Sequence, residues 1–148
     1  MKGCENVMVK LIVGERGSGK TKKLIDAVKA AAAVSKGNVV CVEKGDSLRF
    51  DLNHKIRLID ITEYDVHGAD AYYGFISGLM AGNYDITEIF GDATMKILFG
   101  KGEKDFAATV RFIERVEKLA AEADAQVILT ISCSMEDLPE HIRKLAME

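Results

Sequence analysis

The 148-residue sequence has little proline, little cysteine and no long apolar run. Pro139 is the single proline, and with 13 glycines and a charged fraction of 29% this composition excludes a fibrous chain and argues against a disordered linker. Cys4, Cys41 and Cys133 are odd in number and widely separated, with no C-x-x-C pair and no histidine at ligand spacing. Neither a zinc site nor a disulfide framework is therefore indicated, and Cys41 and Cys133, set in apolar runs, read as small buried hydrophobes. No segment approaches the roughly 18 continuous apolar residues of a membrane span. The opening MKGCENVMVKLIVG is broken by Lys10 and too short for a secretory signal, so no membrane insertion is expected and the cytoplasm is the default location. Positive charge is also not in excess. A net charge of −3 gives no electrostatic reason for tight binding to nucleic acid, which needs clustered Lys and Arg.

Apolar residues make up 48% of the chain, enough for residues 1–148 to fold as one domain around a sizeable core. Short apolar runs alternate with longer segments of helical period, the pattern of βα units. The expected fold class is α/β, a three-layer sandwich with a mainly parallel sheet of about five strands. Strands are expected at Met8 to Val13, Asn38 to Val42, Ile56 to Ile61, Ile86 to Gly91 and Gln126 to Ile131. Helices are expected from Lys20 to Val34, with Gly37 beyond its end, and from Asp70 to Ala81, closed by Gly82. A third shows an apolar stripe of Phe106, Val110, Ile113, Val116 and Ala120, with Glu114 and Lys118 as an i,i+4 pair on its wet side. A closing helix is expected from Asp137 to Ala146, with Pro139 in its first turn.

Residues 14 to 21 read GERGSGKT and join the first strand to the first helix. At average composition G-x-x-x-x-G-K-T arises by chance in roughly one chain of this length in a few hundred. Gly14, Gly17 and Gly19 allow a tight turn, with positive φ where needed, so that backbone amides from Gly14 through Glu15, Arg16, Gly17, Ser18 and Gly19 can face a phosphate chain. The helix adds the positive end of its dipole. Lys20 has the reach for the β- and γ-phosphates, and the Thr21 hydroxyl is a Mg²⁺ ligand of the right hardness.

On these residues the chain resembles the P-loop NTPases, and within them the RecA-like ATPase core. Three features extend the resemblance beyond residues 8 to 35. IFGDAT places Asp92 at a strand end as the Walker B acid, which orients the Mg²⁺ shell. Ala93 follows it where many such ATPases carry a catalytic glutamate. The resemblance implies a substitute at the end of the strand after the P-loop helix, where VVCVE supplies Glu43 to polarise water; Asp46 and Asp60 are poorer candidates. The run TISCS closes the fifth strand, which in this fold lies beside the P-loop strand, and offers Thr130, Ser132 or Ser134 to sense the γ-phosphate; Ser134 also reads as a plain helix cap.

The resemblance thus implies binding of ATP and Mg²⁺, with Lys20 and Glu43 in catalytic roles and Thr21 and Asp92 on the metal. No lid with paired arginines is visible. Arg16, Arg111, Arg115 or Arg143 could act as a finger only across an interface in a homo-oligomer or with another protein partner, so hydrolysis is expected to be slow. The chain is also similar to a truncated twitching-motility-type ATPase, without that family's N-terminal domain or its acidic and histidine boxes. Two alternatives stay open: a nucleotide-dependent binding module with vestigial hydrolysis, and a kinase of nucleoside-type small molecules. His54, His67 and His141 lack partners at ligand spacing and receive no role, and Tyr64, Tyr72, Tyr73, Tyr84, Phe75 and Phe90 read as core and rim aromatics.

Overall fold

The computed structural model describes residues 7–53 and 55–147; Cys4 and His54 lie outside the described residues. Its chain order is β1 (Val9–Gly14), α1 (Lys20–Val34), β2 (Asn38–Glu43), β3 (Arg57–Asp60), α2 (Ala69–Gly82), β4 (Ile86–Gly91), α3 (Thr94–Phe99), α4 (Phe106–Ala123), β5 (Gln126–Ser132) and α5 (Glu140–Arg143). The five strands form one sheet in the order β1-β5-β4-β2-β3, and every pairing is parallel. β5 therefore separates β1 from β4, and it pairs with β1 as expected of the fifth strand.

Alternation along the strands builds two cores. Leu11, Val40, Val42, Ile89, Leu129 and Ile131 face α2, α3 and α4, whereas Ile12, Val39, Cys41, Phe90 and Ile128 face α1 through Leu24 and Val28. A sheet buried on both faces is what an all-parallel arrangement requires, and the continuous apolar runs of β2 and β5 reflect it. Two departures from the apolar pattern of β4 have local causes. Glu88 sits where the β2–β4 register shifts between Asn38 and Val39, and its carboxylate takes the Thr87 hydroxyl. Gly91 lies against the buried Tyr72, and a Cβ there would meet the Tyr72 hydroxyl at 2.5 Å and Leu129 at 2.8 Å.

α4 is rotated slightly from its expected phase. Its buried line runs through Thr109, Phe112, Ile113, Val116 and Ala120, while Phe106 and Val110 are only partly buried. Asp105 caps it, accepting from the Ala108 amide at 3.0 Å. Glu114 on its outer side meets His141 Nε2 at 2.8 Å.

The expected helix from Asp137 to Ala146 is not formed as such. A 3₁₀ turn, Met135–Asp137, is followed by the four-residue α5 with Pro139 as its N-cap. Pro139 forces extended backbone on Leu138, whose ψ is 142°. Beyond α5 the chain becomes strand-like: the Leu11 amide donates to the Leu145 carbonyl at 2.9 Å and the Met147 amide to the Leu11 carbonyl at 2.7 Å. The last residues thus flank β1 on its outer edge. Among the described residues, no helix is long and apolar enough to cross a membrane.

Candidate functional site

The loop between β1 and α1 is shaped by its glycines in two ways. Gly17 (φ 83°) and Gly19 (φ 91°) adopt the left-handed backbone that disfavours side chains. Gly14 instead accommodates a close approach, because a Cβ there would collide with the Ser18 side chain. The Ser18 amide donates to the Glu15 carbonyl at 3.1 Å and closes the turn. α1 has no side-chain N-cap, and the Lys23 amide bonds the Gly19 carbonyl at 3.2 Å. The amides of the turn before Lys23 are those a helix start leaves without an intrahelical partner. Lys20 folds back over the loop, its Nζ donating to the Glu15 carbonyl at 3.0 Å. Burial lowers its pKa below the ordinary lysine value, a shift opposed by Asp92 and reinforced by Lys104.

The facing wall is built on the residue after β4. The Asp92 amide donates to the Val42 carbonyl at 2.9 Å, which pins this residue across the neighbouring strand. Asp92 Oδ2 accepts from Thr21 Oγ1 at 3.1 Å and Oδ1 from Thr130 Oγ1 at 2.9 Å. Thr130 Oγ1 in turn accepts from the Ala93 amide at 3.2 Å, so the hydroxyl has a fixed direction. Ala93 holds a left-handed backbone (φ 58°) and turns the chain into α3.

A groove of about 370 Å³ lies between these walls. Arg16, Lys20, Lys96 and Lys104 line it with a single carboxylate, Asp92, which makes it a place for a polyanion. Thr21 and Asp92 offer hard oxygen ligands of the kind Mg²⁺ takes. Among the described residues no cluster of three or more metal-ligating His, Cys, Asp or Glu side chains exists.

The sequence candidates separate on this geometry. Arg16, Gly17, Lys20, Thr21, Asp92, Thr130 and Ser132 line the groove. Ser134 does not; it caps the 3₁₀ turn, accepting from the Glu136 amide at 3.1 Å. Glu43 ends β2 as expected but is 3% exposed, its carboxylate bonded to the Leu48 amide and to Ser47 Oγ at 3.2 Å. Burial raises its pKa, the Leu48 and Ser47 bonds oppose this, and Asp60 and Asp92 add to it. Asp60 accepts from the Gly45 amide at 2.9 Å and from Thr62, and Asp46 pairs with Arg49 at 3.4 Å.

Arg115 is held by Asp70 at 2.8 Å and lies 4.0 Å from the Tyr73 ring centre. Arg143 Nε donates to the Leu138 carbonyl at 2.7 Å. Tyr72 stacks on Phe112 with centroids 5.5 Å apart, and Tyr64 meets Phe75 at 5.8 Å, so both pairs serve packing. Lys96, Phe99 and Lys104 in the groove escape sequence reasoning. The only sequence signal for Lys104 is its place in the glycine-containing charged run GKGEKD.

A scan of protein-family models gives no match to the chain, and no curated protein is significantly similar to it in sequence.

Proposed function

We propose that the chain binds a nucleoside triphosphate, ATP in the first instance, together with Mg²⁺ in the groove between the glycine loop and Asp92, and hydrolyses it slowly. The observation that carries this reading is the 3.1 Å contact between Thr21 Oγ1 and Asp92 Oδ2. The two residues that the motifs mark separately as metal-side ligands stand side by side. The loop amides and the start of α1 receive phosphate oxygens, and Lys20 exchanges the Glu15 carbonyl for the β- and γ-phosphates. Mg²⁺, when bound at Thr21 and Asp92, neutralises phosphate charge. Thr130 keeps the Asp92 carboxylate oriented.

Glu43 is the base candidate in this reading, and its bonds to Ser47 and Leu48 must loosen before it can act on water. That commitment favours a second reading, in which ATP occupancy reshapes a surface for a protein partner and turnover is vestigial. Titration of MgATP into wild type and Lys20→Ala tests the common core of both: binding to the wild type, weakened at least tenfold in the variant, is expected, and equally negligible binding in the two defeats it. Phosphate release then separates the readings. Turnover at background while MgATP raises the melting temperature, as binding linkage requires, selects the module.

A further inference from the structure

The groove holds a second lysine whose position the loop motif does not explain. Lys104 lies in the segment between α3 and α4, one residue before the α4 cap Asp105, and its ammonium hydrogen-bonds the Ser132 carbonyl at the end of β5. Ser132 is the register partner of Gly14, the first residue of the glycine loop. Lys20 meanwhile rests on the carbonyl of Glu15, the next residue of that loop. Two ammonium groups are therefore parked on backbone carbonyls, one at the end of β5 and one just past the end of the adjacent strand β1. Among the described residues they converge on one groove with a single carboxylate.

Such a pair of like charges is unfavourable in isolation and becomes favourable around an anion. A phosphate group accepts on several oxygens, so two ammonium groups in one groove can each make a charge-assisted contact of about 2.7–2.9 Å to it. We infer that Lys104 is a second phosphate-binding lysine, which grips the terminal phosphate of a bound triphosphate alongside Lys20 and makes the groove select triphosphates over diphosphates. The inference rests on the triphosphate reading above and adds the residue that counts phosphates. It supplies, from within the same chain, a positive charge of the kind that an arginine finger brings across an interface.

Affinities for MgATP, MgADP, inorganic tripolyphosphate and pyrophosphate, measured on wild type, Lys104→Gln and Lys104→Arg, test it. Lys104→Gln should weaken MgATP and tripolyphosphate about tenfold or more, the loss expected for one charge-assisted contact, and change MgADP and pyrophosphate by less than about twofold on the same grounds. Lys104→Arg should keep most of the preference. Lys104 is an exposed residue, so its melting temperature should move by no more than about 2 °C, as for other surface changes. Equal weakening of tri- and diphosphates, which a merely structural clasp on Ser132 predicts, overturns the inference, as does no change in either. Wild type that binds none of the four anions overturns the triphosphate reading itself. Binding of the inorganic anions without the nucleotides overturns only the nucleoside part.

Discussion

Thr21 and Asp92 are 71 positions apart in sequence, yet Thr21 Oγ1 donates to Asp92 Oδ2 at 3.1 Å. One stands in the first turn of α1 and the other just past β4, with β5 lying between the strands that carry them. Thr130, from that intervening strand, holds the other carboxylate oxygen at 2.9 Å, so three elements fix one carboxylate.

Asp92→Asn keeps the size of the side chain, removes its charge and leaves one oxygen to accept from two threonines. MgATP affinity should fall ten- to a hundredfold, in line with about 1.5–3 kcal/mol for a hydrogen bond to a charged group. On the proposed reading Mg²⁺ stimulates ATP binding, and that stimulation should shrink with it. Titrations with and without Mg²⁺ measure both, and an undiminished Mg²⁺ effect in the variant would show that Asp92 has no part in holding the cation.

Glu43 makes stability depend on pH in a definite direction. Burial, opposed by the Leu48 and Ser47 bonds and reinforced by Asp60 and Asp92, raises its pKa above the ordinary 4.5, so the folded chain binds this proton more tightly than the unfolded chain. The contribution is fully present below pH 4.5 and is lost as pH climbs through the raised folded value. Glu43→Gln stays neutral and is spared that loss. The melting temperature of wild type minus that of the variant should therefore fall between pH 4 and pH 7; curves that run parallel across this range would refute the assignment.

Gly91 and Tyr72 should be energetically coupled. Among the described residues the Tyr72 hydroxyl is buried without a hydrogen-bond partner, and it fills the space that a Cβ at position 91 would need. Gly91→Ala should cost about 1–3 kcal/mol as an overpacked core change. Tyr72→Phe should be neutral or stabilising by about 1 kcal/mol, because an unsatisfied polar group leaves the core. Combined, the two should recover at least about 1 kcal/mol relative to the sum of the single changes. Chemical denaturation of the four proteins measures this, and strict additivity would contradict it.

The elements that the sequence reveals well are those whose signals are local. α1 occupies Lys20–Val34 and β4 occupies Ile86–Gly91, each within the bounds its apolar pattern and glycines suggest. α3 is not foreseen, because six residues are too few to display a helical period, and four of them, Thr94, Met95, Ile97 and Leu98, are buried together. The end of the chain is misjudged for a different reason. A stretch with helical composition passes Pro139 and then finds strand partners on Leu11, and tertiary pairing overrides local propensity. At the groove, Arg16, Gly17, Lys20, Thr21 and Asp92 are visible because strand ends and glycine spacing mark them. The bonds of Glu43 to Ser47 and Leu48 and the reach of Lys104 to Ser132 depend on how loops fold back, which periodicity does not encode.

Ala93 carries a consequence for anyone who would engineer a catalytic acid into this groove. A grafted acid would inherit the left-handed backbone that Ala93 already holds (φ 58°), a conformation that costs any non-glycine residue, alanine included, about 1–3 kcal/mol. Its amide is meanwhile committed to Thr130, so relaxing the turn would also loosen the carboxylate next door. The acid that ends β2, Glu43, is the other starting point, and there the bonds to Ser47 and Leu48 are what would have to change.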